Sequence, residues 1–116
     1  MAAEQIIANV EAASKDDNPL AVLLRRVFGE RLTLERAVRS WASVDAAARA
    51  AVQAIDRRRL NYVEGLLVQS GLSDDAARSR AQILYWAFLG FALSDQPLPK
   101  ARQQAVVDEL VRMATS

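Results

Sequence analysis

The sequence predicts an all-α domain. Three observations carry that prediction. Apolar residues recur at helical three-and-four spacing along the chain, residues that cap helices stand at the starts of those runs, and no convincing strand pattern is present. At 116 residues a single domain spanning 1–116 is expected, and a hydrophobic content of 52% is enough for a sizeable core. About six helices account for the pattern.

The first falls over residues 2–13, with Ile6, Ile7 and Val10 on one side, and the polar stretch from Ser14 to Asn18 ends it. Asn18 before Pro19 is the order of an N-cap and a first helical residue. The helix that follows carries Leu20, Leu23, Leu24, Val27 and Phe28 and stops near Gly29. Thr33 is the expected cap of a third helix, whose apolar members are Leu34, Ala37, Val38 and Trp41. Asp45 opens a long helix over 46–70, with Val52, Ile55, Tyr62, Val63, Leu66 and Leu67 expected inward. Gly71 stands where a left-handed C-terminal cap is wanted. Ser73 then caps a fifth helix, and Asp74 and Asp75 suit its positive N-terminal end. Pro97 and Pro99 force a connection, because proline inside a helix removes a hydrogen bond and clashes. A last helix over 100–114 carries Val106, Val107, Leu110 and Met113.

The fifth helix is the most unusual. Between residues 81 and 93 only Gln82 is strongly polar. A surface helix keeps one wet face. This one has none, so it must be covered from more than one side, and a second copy of the chain is the expected cover. The run is still far shorter than the roughly 20 residues a membrane span needs. No basic segment followed by an apolar core opens the chain, and a cytoplasmic protein is expected.

Composition narrows the chemistry. There is no cysteine and no histidine, which removes thiolate chemistry, the commonest metal ligand and the commonest general base. The pairs Asp16-Asp17 and Asp74-Asp75 are adjacent in sequence, so their carboxylates diverge, and capping and solvation explain them. Four scattered glycines make no phosphate-cradling loop. No enzyme, no metal site and no cofactor are expected. A net charge of +1 gives no global attraction to nucleic acid or to an acidic membrane. Arg57, Arg58 and Arg59 are the only basic run, and successive helical side chains diverge by about 100°. Arg59 falls on the apolar stripe, with Asp56 three residues before it. It reads either as a partly buried ion pair tying this helix to a neighbour or as a group aimed at a ligand, and Arg80 poses the same choice. Gly71-Leu72-Ser73 looks like the turn of a helix-turn-helix. The helix after it is the most apolar of the chain, which excludes base reading by this element.

Several loose motifs in order carry a resemblance. They are Arg39-Ser40-Trp41-Ala42, then Asp56 with Arg59-Leu60, then Ser70-Gly71-Leu72 followed by Ala77, Ala81, Leu84-Tyr85 and Gly90. Over residues 37–90 the chain resembles the C-terminal, ligand-binding and dimerisation domain of TetR-family transcriptional regulators of bacteria. In that family an N-terminal three-helix portion binds DNA. That portion has no counterpart before Asn18, and residues 1–14 look like the connector helix that follows it. The resemblance implies an effector-sensing and homodimerisation domain with no DNA-binding activity of its own, DNA being reached only through a separate domain. It implies that the last two helices form a four-helix-bundle dimer interface, with Ala77, Leu84, Ala87, Gly90, Phe91, Val106 and Leu110 as candidate contacts. A small apolar effector would bind among the preceding helices, where Leu24, Phe28, Trp41, Arg59, Tyr62, Leu66 and Trp86 are candidates. The alternative reading is a stand-alone helical dimerisation or interaction protein with a filled core and no effector pocket.

Overall fold

A computed structural model describes residues 18–29, 33–94 and 98–116. Among the described residues the chain forms five helices and no strand: α1 (Pro19–Gly29), α2 (Thr33–Ala42), α3 (Ala46–Gln69), α4 (Asp74–Leu93) and α5 (Lys100–Thr115). Each matches one of the expected helices. The expected helix over 2–13 lies outside the described residues.

The starts form as the cap residues dictate. Asn18 Oδ1 accepts from the Leu20 amide at 3.0 Å, Asp45 Oδ1 from Ala48 at 2.9 Å and Ser73 Oγ from Ala76 at 3.2 Å. Thr33 is already helical, so α2 begins at its expected cap, one residue earlier than predicted. The end of α3 is a Schellman turn. Gly71 takes φ 108°, its amide reaches Val68 O at 3.0 Å, and the Leu72 amide reaches Leu67 O at 3.2 Å.

The other helix ends are closed by side chains from elsewhere in the fold. Gln103 of α5 donates to Phe28 O at the end of α1. Arg49 of α3 donates to Ala42 O at 3.2 Å and Ser43 O at 3.4 Å, closing α2. Arg36 of α2 reaches Ser94 O at 3.3 Å, beyond the end of α4. Arg80 of α4 holds Ala114 O at 2.9 Å and Ser116 O at 2.8 Å, at the end of α5. The last carbonyls of a helix lack internal partners and carry its negative pole, so cationic donors there both satisfy and stabilise them.

The long helices α3 and α4 pack side by side, α2 lies mainly against α3, and α5 lies mainly against α1. The core forms where α1, α3, α4 and α5 meet. It contains Leu20, Leu23, Leu24 and Phe28 of α1, Val63, Leu66 and Leu67 of α3, and Leu84, Tyr85 and Phe88 of α4, closed by Val107 and Ala114 of α5. Phe28 meets Phe88 edge-on at 5.8 Å and Phe91 at 5.0 Å. A separate small cluster of Val38, Ala42, Ala48 and Val52 joins α2 to α3.

Three expectations of burial are corrected. Ile55 is 42% exposed, because α3 turns Val52, Asp56, Arg59 and Val63 inward and leaves Ile55 beside that row. Met113 is 60% exposed, on the edge of α5 away from Val107 and Ala114. The third concerns all of α2. Its apolar pattern predicts Leu34, Ala37, Val38 and Trp41 inward, yet Leu34 is 70% and Trp41 58% exposed. The inward row is Glu35, Val38, Arg39 and Ala42, so the helix is turned by about one residue, or about 100°. The cause is the set of polar partners that Glu35 and Arg39 find beneath them.

Candidate functional site: an internal polar network and an outward apolar face

Two features remain once the core is assigned. The first is a polar network joining three helices. Arg39 and Glu35 come from successive turns of α2, and Arg39 Nε donates to Glu35 Oε2 at 2.8 Å. The same guanidinium forks onto Asp56 of α3, with Nη1 at 3.2 Å from Oδ2 and Nη2 at 2.5 Å from Oδ1. Arg59, one turn further along α3, donates from Nη1 to the other Glu35 oxygen at 2.8 Å. At the centre stands the hydroxyl of Tyr85 on α4. It accepts from Arg39 at 3.1 Å and Arg59 at 3.2 Å, and donates to Asp56 Oδ1. Arg59 also lies 6.0 Å from the centre of the Phe88 ring.

The electrostatics follow from this geometry. Burial pushes the Tyr85 phenol up, and its bond to Asp56 adds to that, so the group is raised to about 12 despite Arg59. Burial alone would raise the Asp56 carboxyl. Hydrogen bonds from Arg39 and Tyr85 and the charges of both arginines outweigh it, holding the group below the usual carboxylate range. Burial opposes the charges of Arg39 and Arg59, and their acidic and phenolic partners reverse that, so both are raised. Two cations meet two anions, every guanidinium is engaged, and the phenol keeps its proton. Such an arrangement fixes helices. It offers neither an activated nucleophile nor a poised base.

The second feature is the outer side of α4. Ile83 is 58%, Trp86 64% and Leu93 47% exposed, and Gly90 is exposed between them. Their spacing of three, four and three puts all four on one face. Half-buried Ala87 and Leu89 border it. A Cβ built on Gly90 meets nothing within 4 Å, and the residue does not have positive φ. Neither backbone conformation nor packing among the described residues calls for glycine there. On the edge of α5, half-buried Val106 and Leu110 and exposed Met113 share a face by the same helical spacing.

The sequence-predicted residues distribute as follows. Of the effector candidates, Leu24, Phe28 and Leu66 are buried together in the main core, and Tyr62 packs on its margin. Arg59 joins the network, while Trp41 and Trp86 face outward from two different helices. The seven therefore do not converge on one place. Of the interface candidates, Ala77 and Leu84 are inside the core, Phe91 is half-buried against it, and Ala87, Gly90, Val106 and Leu110 reach the surface in part or whole. Arg59 ties its helix to neighbours, but the carboxylate it bonds is Glu35, whereas Asp56 takes Arg39. Arg80 holds the end of α5.

Sequence reasoning missed Glu35, Arg39 and Tyr85 as members of one cluster. The four-residue spacing of Glu35 and Arg39 was a visible signal, as was a tyrosine in an otherwise apolar run. Among the described residues, no helix is long and apolar enough to cross a membrane, and no group of three or more metal-binding side chains is present. Compared with protein-family models, curated proteins and solved structures, the chain matches none.

Proposed function

We propose that this chain is a helical self-association module that pairs with a second copy through the outer face of α4. The observation that carries this reading is the row Ile83, Trp86, Gly90 and Leu93. It is apolar, continuous and outward, with a glycine that nothing among the described residues requires. Glycine inside a helix costs about 1 kcal/mol relative to alanine, and its gain is the close approach of another backbone. An exposed apolar row of this kind marks a contact surface. On this reading the edge of α5 formed by Val106, Leu110 and Met113 would join the contact, so that two helices from each copy make a four-helix bundle. The resemblance to TetR-family regulatory domains favours the same two helices. On that reading pairing brings together two DNA-binding domains that lie outside this unit.

The effector-sensing role is less favoured by the geometry. Leu24, Phe28 and Leu66 are occupied with one another and their core neighbours, and the two tryptophans lie outside. The alternative of an association module with a filled core accounts for more of the molecule.

Trp86→Glu and Gly90→Leu test the pairing. Both positions are exposed within one chain, so helicity and the core should survive. Light scattering should give twice the chain mass for the native protein and one chain mass for both variants. A native protein that stays monomeric at high concentration, or variants that still dimerise, overturns the reading.

A further inference from the structure

α2 is held to the body of the protein in a way no other described helix is. Among its described side chains only Ala42 is buried, and Val38 is its one partly buried large apolar residue. The larger apolar residues Leu34 and Trp41 point outward. What faces inward is charged: Glu35 is bonded to Arg59, and Arg39 to Asp56 and Tyr85. Arg36 adds its contact to Ser94 O. By contrast α1, α3, α4 and α5 are joined through large aliphatic and aromatic side chains in one continuous core. Hydrophobic burial scales with the apolar area removed from water, and α2 removes little. Its attachment therefore depends on charge pairing and hydrogen bonds, which are directional and fail together when one member is lost.

We propose that α2 is an electrostatically latched helix that opens as a unit, separately from the four-helix core, when the network of Glu35, Arg39, Asp56, Arg59 and Tyr85 is broken. Asp56 is the pivot, because it accepts from both Arg39 and Tyr85. Opening leaves the main core whole, since no residue of α2 belongs to it. It uncovers Tyr85 and the Ala48 and Val52 side of α3. Tyr85 immediately precedes Trp86 of the outer face, so the latch and that face share a turn of α4. This inference stands whether or not the chain pairs with a second copy.

Hydrogen exchange followed by mass spectrometry tests it on the full chain. In Asp56→Asn, amides of residues 36–42 should exchange at least about tenfold faster than in the native protein. Amides of 63–67 and 84–88 should keep their rates. Glu35→Gln should give the same pattern with a smaller change. Equal acceleration of α2 and the core would make α2 part of the global unit and overturn the proposal, as would unchanged exchange in α2. If Asp56→Asn does not fold, exchange of the native protein across low urea decides. Opening of α2 at a lower free energy than 63–67 supports the latch, and a common value overturns it.

Discussion

Tyr85 shows how one side chain serves two environments. Its ring lies in the core against Phe88, at 6.0 Å between centroids, while its hydroxyl ties together α2, α3 and α4. Removing that hydroxyl leaves Asp56 and both guanidiniums short of a partner in a place water reaches poorly. Tyr85→Phe should therefore cost about 1–3 kcal/mol. The phenol also sets an alkaline limit. Its value in the folded protein, about 12, lies above the unfolded value of about 10. Its contribution is complete below the unfolded value and disappears as pH rises through the folded one. The urea midpoint of the native protein should fall between pH 9 and 11 by more than that of Tyr85→Phe; parallel curves would contradict this assignment. Trp41, by contrast, is too exposed to be a core anchor. What its sequence position suggested as burial is in fact a place on the outer edge of α2.

At the scale of elements, the helices divide by what holds them. α1 and α5 are amphipathic in the ordinary sense, with apolar rows buried and charged residues outside, half-buried Arg26 excepted. α2 is turned against its own pattern because a bidentate arginine–carboxylate pair and a shared phenol outweigh two large side chains at an edge. The α3–α4 hairpin depends on its turn. There Gly71 adopts a positive φ that an L-residue reaches only with strain, and Leu72 folds back onto the core. Gly71→Ala should destabilise the protein by about 1 kcal/mol, visible as a lower urea midpoint with an unchanged slope. No loss would mean that the turn relaxes. Space is not the obstacle there, since an added Cβ would meet nothing within 4 Å.

At the scale of the whole molecule, one core joins α1, α3, α4 and α5, while among the described residues α4 keeps a bare apolar side. Leu84, Phe88 and Ala92 face inward, and Ile83, Trp86 and Leu93 face out. If that face meets a second copy, folding and association are linked, and the melting temperature rises with protein concentration. Native protein should melt several degrees higher at 100-fold greater concentration, whereas Trp86→Glu should melt at one temperature throughout. A native melting point independent of concentration would leave the outer face of α4 without its partner.

The five described helices were each legible in the sequence alone. Capping residues at Asn18, Asp45 and Ser73, the glycine at 71 and the proline at 99 act through bonds spanning a few residues, so they are legible along the chain. Part of the main core was legible as well, because Leu20, Leu23, Leu24, Phe28, Leu66 and Leu67 follow the helical period, whereas Leu84, expected at an interface between copies, lies inside it. Which side of α2 turns inward, and which arginine meets which carboxylate, is settled once the helices pack together. Those outcomes depend on residues up to 50 positions apart, Glu35 to Tyr85, arriving at one point. A local pattern states what a helix prefers to bury, and the partners that other helices bring decide what it does bury.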